Sequence, residues 1–102
     1  MMPTAEQKIK KEIKDYIESI GGYWASVTGG PYSKPGDPDM VVCLNGRFIG
    51  IEGKVYGEKL KPIQELRKEE IEDAGGIYII GRSREEVEAE FRRRGLVEDG
   101  TG

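Results

Sequence analysis

The chain has 102 residues, 36% hydrophobic and 34% charged, which fits one folded domain with a modest core and excludes intrinsic disorder. It has no histidine and one cysteine, which excludes an intrachain disulfide, Ser-His and Cys-His nucleophile pairs, His-ligated zinc and an imidazole base. A net charge of −3 argues against coating nucleic acid by bulk attraction, and no apolar run nears the roughly 20 residues that cross a bilayer.

The start, Met1-Met2-Pro3-Thr4-Ala5-Glu6, lacks the basic-then-apolar order of a signal peptide, so a cytoplasmic protein is expected. From Thr4 to Ile20 the spacing predicts an amphipathic helix, with Ile9, Ile13, Tyr16, Ile17 and Ile20 as its stripe. Thr4 is its expected N-cap and Gly21-Gly22 its stop. Tyr23 to Thr28 reads as a first strand, with Tyr23 and Trp24 assigned to the core rather than to base stacking. A Gly- and Pro-rich loop follows to Gly36. Two strands, Asp39–Leu44 and Phe48–Val55, are expected to pair around Asn45-Gly46, the strongest short-range hairpin signal. Cys43 reads as a small buried hydrophobe.

Pro62 suits the first turn of a helix to Ala74, with Ile63, Leu66, Ile71 and Ala74 turned inward and Gly75 as its stop. Ile77-Tyr78-Ile79-Ile80 is a continuous apolar run, as expected of a central strand covered on both faces. Ser83-Arg84-Glu85-Glu86 makes a capping box for a last helix that carries Val87 and Phe91 and stops at Gly95. The expected fold class is α/β (α+β), in the order α-β-β-β-α-β-α: a mixed central sheet flanked by helices. Residues 1–102 are expected to form a single domain, with 97–102 as a frayed tail.

The hairpin brings the start of one strand opposite the end of the other. Asp39 then falls near Glu52 and Lys54, whose side chains leave the same side of their strand. Two hard oxygen ligands beside an ammonium suit a divalent cation engaged with a phosphate, as in a metal-dependent nuclease. A solvated Glu–Lys pair on an exposed strand accounts for the same residues. Around them, Lys34, Arg47, Lys59 and Lys61 make the 29–62 stretch locally positive once metal neutralises two of its acids.

Five stretches stand in order: Gly36-Asp37-Pro38-Asp39, Gly46 to Ile51-Glu52-Gly53-Lys54, Leu60-Lys61-Pro62-Ile63-Gln64, Ala74-Gly75-Gly76 and Gly81-Arg82-Ser83. With the elements around them they resemble the VRR-NUC branch of the PD-(D/E)XK nucleases, stand-alone and phage-type, from about Glu6 to Ser83. The resemblance implies a restriction-endonuclease-like fold and a divalent-metal-dependent DNA endonuclease, using Mg²⁺ or Mn²⁺ and no organic cofactor. It implies Asp39, Glu52 and the Gly53 backbone carbonyl as metal ligands, and Lys54 as the catalytic lysine. Glu6 corresponds to a first-helix glutamate at the metal, with Glu12 in reserve; its other reading is an acid at a helix start. Gln64 corresponds to the family glutamine that orients the phosphate or the lysine, and a solvated helix-start residue is its alternative. Position 53 is usually a bulkier apolar residue in this family and position 37 is commonly apolar, so Gly53 and Asp37 depart from the pattern. Asp37 reads as an exposed loop residue or an outer-sphere metal contact.

Lys59 and Lys61, and Ser33 and Lys34 with Tyr32 on the loop entering the site, are the candidate nucleic-acid contacts. Arg92-Arg93-Arg94 is a weaker one, because basic residues at a helix end are favoured there anyway. The expected substrate is branched DNA such as a Holliday junction, in DNA repair or phage replication within a bacterial host, acted on by a homodimer to which Leu96 and Val97 contribute unless they cap the core. The competing expectation is a catalytically silent nucleic-acid-binding subunit of a phage or DNA-repair complex.

Overall fold

The computed structural model describes residues 2–27 and 29–98. Its elements are α1 (Ala5–Ser19), β1 (Tyr23–Ser26), β2 (Met40–Leu44), β3 (Arg47–Gly53), α2 (Pro62–Asp73), β4 (Ile77–Gly81) and α3 (Arg84–Arg93), in the expected order. Thr28, at the expected end of the first strand, and residues 99–102 of the expected tail lie outside the described residues.

Local chemistry sets the helix starts. The Gln7 N–H donates to Thr4 Oγ1 at 3.1 Å while the Gln7 side chain accepts from the Thr4 N–H at 2.9 Å, a closed capping box. Ser83 caps α3 by accepting from the Glu86 N–H at 3.1 Å. The strands form one sheet in the order β1-β2-β3-β4, antiparallel at the first two contacts and parallel between β3 and β4, where α2 carries the chain back.

The core lies between one face of the sheet and the helices α1 and α3. Met40 pairs with Ile51 and Val42 with Ile49 across β2 and β3, and all four are buried with Ile13, Tyr16, Ile17, Val87 and Phe91. The Tyr16 and Phe91 rings meet edge-on at 5.6 Å, joining the two helices. Leu96 is buried in this core and Val97 packs against it, so both close the domain rather than offering themselves to a partner.

The other face of the sheet departs from expectation. No residue of α2 is buried: Ile63 and Leu66 are exposed, Ala74 too, and Ile71 is half-buried. Beneath α2, Gly50 carries no side chain, and Pro38 and Ile71 stand where its Cβ would press. Cys43 is exposed, not buried. Strand alternation turns it away from the core, in a cross-strand row with exposed Tyr23 and Phe48. Tyr23 is therefore no core residue, whereas Trp24, on the opposite face, packs against the core. β4 is buried along most of its length but is an edge strand rather than a central one. A continuous apolar run reports cover above and below, which α3 and α2 supply, and is silent on lateral neighbours.

Candidate metal centre

The Asn45-Gly46 turn has left-handed φ at both positions, +51° and +78°, the two-residue turn whose twist matches a hairpin. It fixes the β2–β3 register from Leu44 opposite Arg47 to Met40 opposite Ile51. One step further along lie Asp39 and Glu52. The Gly53 N–H donates to Asp39 Oδ2 at 2.8 Å, locking the carboxylate across the end of the hairpin. Glu6, on the first turn of α1, completes a group in which one carboxylate oxygen from each of the three residues lies within 4.8 Å of the other two.

Asp39, Glu52 and Lys54 are the buried charged residues among those described. Glu52 is held on one oxygen by Gln64, whose Nε2 donates to Oε2 at 3.1 Å from the first turn of α2. Its other oxygen, Oε1, is buried without a hydrogen-bond partner. Burial, then the charge of Asp39, push the Glu52 carboxyl up to about 7, against a smaller lowering by the Lys54 ammonium. An unpartnered oxygen on a strained carboxylate, among three hard oxygen donors, fits a divalent cation of the Mg²⁺ or Mn²⁺ type.

Lys54 follows β3 directly, and its N–H donates to the Gly81 carbonyl at 3.0 Å, which extends the parallel ladder. Its ammonium lies 3.9 Å from Glu58 Oε2. Arg82 ties down that loop, donating to the Val55 carbonyl at 2.6 Å and the Glu58 carbonyl at 2.8 Å. Arg82→Ala is expected to lower stability by about 1–3 kcal/mol. Amides of the 54–58 stretch should then exchange hydrogen faster than those of α1, and equal protection in variant and wild type would dismiss the tether.

The other expected residues lie further out. Lys61 caps α2 through its backbone and is exposed, as is Lys59. Ser33 and Lys34 line a shallow concavity with Gly29 and residues 35–37, not the acidic cluster, and Tyr32 is fully exposed. Asp37 accepts from the Lys34 N–H at 2.8 Å and pairs with Arg67 at 3.7 Å, so it closes its loop outside the cluster. Glu12 is outside the cluster too. Arg93 and Arg94 both pair with Glu90, and Arg94 above all holds that carboxyl below its usual range.

Two groups escape the sequence reading. The Tyr78 hydroxyl is buried without a partner, its pKa raised by burial and then by Glu52 and Asp39. Lys10, on α1, lies 3.6 Å from Asp39 Oδ1. The signal for Lys10 was its place four residues after Glu6, on the same helix face. A concavity of about 520 Å³ between α2 and the hairpin is the largest among those described, but none of the clustered acids lines it.

A solved structure described as a VRR_NUC domain is similar to this chain, with a TM-score of 0.77 and 25% sequence identity over 88% of this chain and 97% of that one. No protein-family model matches the sequence, and no curated protein matches it. The shared architecture spans nearly the whole of both chains. In fold and in the order of its elements, the chain is similar to a VRR-NUC domain over nearly its whole length.

Proposed function

We propose that the chain is a divalent-metal-dependent endonuclease of the PD-(D/E)XK type that hydrolyses phosphodiester bonds in DNA. The observation that carries this reading is the convergence of Glu6, Asp39 and Glu52 beside a buried Lys54. Asp39, Glu52 and the Gly53 carbonyl would hold the ion, and Glu6 would complete its acidic surround. A bound Mg²⁺ or Mn²⁺ lowers the pKa of water and offsets charge growing on the phosphate. Lys54 positions the attacking water or neutralises that charge. Gln64 keeps one Glu52 oxygen engaged, and the other, buried without a partner, is the one that would be left for the ion.

Because Glu6 stands on a helix that does not carry the hairpin, Glu6→Ala is expected to raise the Mn²⁺ concentration for half-maximal rate several-fold. Gln64→Ala should slow turnover more than it shifts metal demand. Coincident Mn²⁺ curves for Glu6→Ala and wild type would return Glu6 to a helix-start role.

The substrate we infer is branched DNA, bound by a homodimer. A domain of this size and net charge −3 grips DNA weakly alone, and a twofold pair doubles the cations at Lys34, Lys59 and Lys61. With Leu96 and Val97 absorbed by the core, the row Tyr23, Cys43, Phe48 is apolar surface open to a twofold contact. The test is a cleavage panel of single-stranded, duplex, flap and four-way DNA, with mass from light scattering. Paired nicks on the junction by a dimer are expected. A monomer that cuts plain duplex as fast would leave a general nuclease, and DNA binding without cleavage would support the silent subunit.

A further inference from the structure

The acidic cluster already holds a positive charge supplied by the chain itself. The Lys10 ammonium lies 3.6 Å from Asp39 Oδ1 and 3.9 Å from Glu6 Oε1, on a side chain about a quarter exposed (26%). Its stem reaches that place by crossing Gly53. A Cβ at position 53 would come within 2.9 Å of Lys10 Cγ and 3.5 Å of Cδ, so a side chain there and Lys10 in its present position exclude one another. Gly53 does not have the positive φ that favours glycine elsewhere in the chain. Space, not backbone conformation, is what the missing side chain provides. The ammonium also borders a cleft of about 310 Å³, lined by Gln7, Lys10, Lys11, Lys14 and Ser26, with Asp39 among its walls. Lys11 is paired with Asp15 at 3.0 Å and Lys14 sits 4.5 Å over the Trp24 ring. Of these three cations, Lys10 is the one whose partners are the clustered acids.

We propose that Lys10 is a resident countercation of the metal centre, a positioning residue that couples metal binding to nucleic-acid binding. Without metal it offsets part of the charge of Asp39 and Glu6. A divalent ion competes for the same carboxylate oxygens and repels the ammonium, which the long flexible stem lets swing toward the cleft. There its charge faces an arriving phosphate. Linkage makes the effect reciprocal: metal frees Lys10 for the phosphate, and the phosphate draws Lys10 off the carboxylates by the same factor. The inference rests on the proposed metal centre, and its test separates the two.

Mn²⁺ affinity is measured by calorimetry on the DNA-free protein, for wild type, Lys10→Met, Lys10→Arg and Glu52→Gln. Lys10→Met is expected to bind Mn²⁺ about tenfold tighter than wild type, within the usual range of coupling between sites, and Lys10→Arg to stay near wild type. A single-stranded oligonucleotide is then titrated with and without Mn²⁺ in the Lys54→Met background. The gain in affinity that metal confers should shrink when Lys10→Met is added. Equal or weaker Mn²⁺ binding by Lys10→Met, with normal binding by wild type, overturns the proposal. A wild type that binds no Mn²⁺, or a Glu52→Gln that binds as well as wild type, overturns the metal centre itself.

Discussion

Glu52→Gln is expected to make the metal-free protein more stable at pH 8, by about 2–3 kcal/mol, or roughly 10 °C in midpoint for a domain of this size. The folded state holds the Glu52 carboxyl at about 7, against an ordinary 4.5, because burial and Asp39 both oppose its charge. An acid with a raised folded pKa takes up a proton on folding. Its contribution is therefore most favourable below the unfolded value and is lost as pH rises through the folded one. Wild type should lose stability from this group between about pH 4.5 and 7, and Glu52→Gln should lose none there, since an amide of the same shape keeps its contact with Gln64 and carries no charge. Mn²⁺ should reverse the order at pH 8, stabilising wild type alone by mass action. Thermal melts of both proteins at pH 5 and pH 8, with chelator and with Mn²⁺, read these differences. Parallel pH dependence in the two proteins would show that Glu52 ionises normally and would remove the strain argument.

Lys54→Met is expected to lower the cleavage rate by a factor on the order of 10²–10³ while leaving Mn²⁺ affinity close to wild type, as for loss of one preorganised donor to transition-state charge. Lys54 is buried beside the cluster but has an ammonium, not an oxygen, to offer. Its contribution therefore falls on the rate rather than on holding the ion. Asp39→Asn should lower both rate and affinity, and the double variant should be little slower than the worse single one, because the groups meet at one phosphate. Single-turnover cleavage at saturating Mn²⁺, with affinity from calorimetry, separates rate from binding. A Lys54→Met protein that cleaves at the wild-type rate would assign Lys54 to packing and its pair with Glu58.

The legible part of the site was the part made by adjacent chain. Asn45-Gly46 fixes a register, and a register with strand alternation fixes Asp39 beside Glu52. The first-helix acid Glu6 came from the family resemblance, and it does join the cluster. Lys10 was overlooked because α1 carries several lysines: its place four residues after Glu6 was the one signal in the chain, and the room its stem finds over Gly53 belongs to a distant strand. The misplacement of β4 has a similar cause. Burial pattern records what lies above and below a strand, whereas sheet order depends on the crossover through α2. Cys43 and the exposed side of α2 were misread because the helix covers only part of its face, and nothing in β2 reveals how far a distant helix extends.

Nicking of supercoiled plasmid by purified wild type and Glu52→Gln, side by side in Mg²⁺, Mn²⁺ or chelator, bears on the central claim most directly. The account predicts nicking by wild type in Mg²⁺ or Mn²⁺, none in chelator, and none by Glu52→Gln under any condition although it melts as a folded protein. Wild-type nicking that survives chelation, or Glu52→Gln nicking at the wild-type rate, would contradict a metal centre built on this carboxylate.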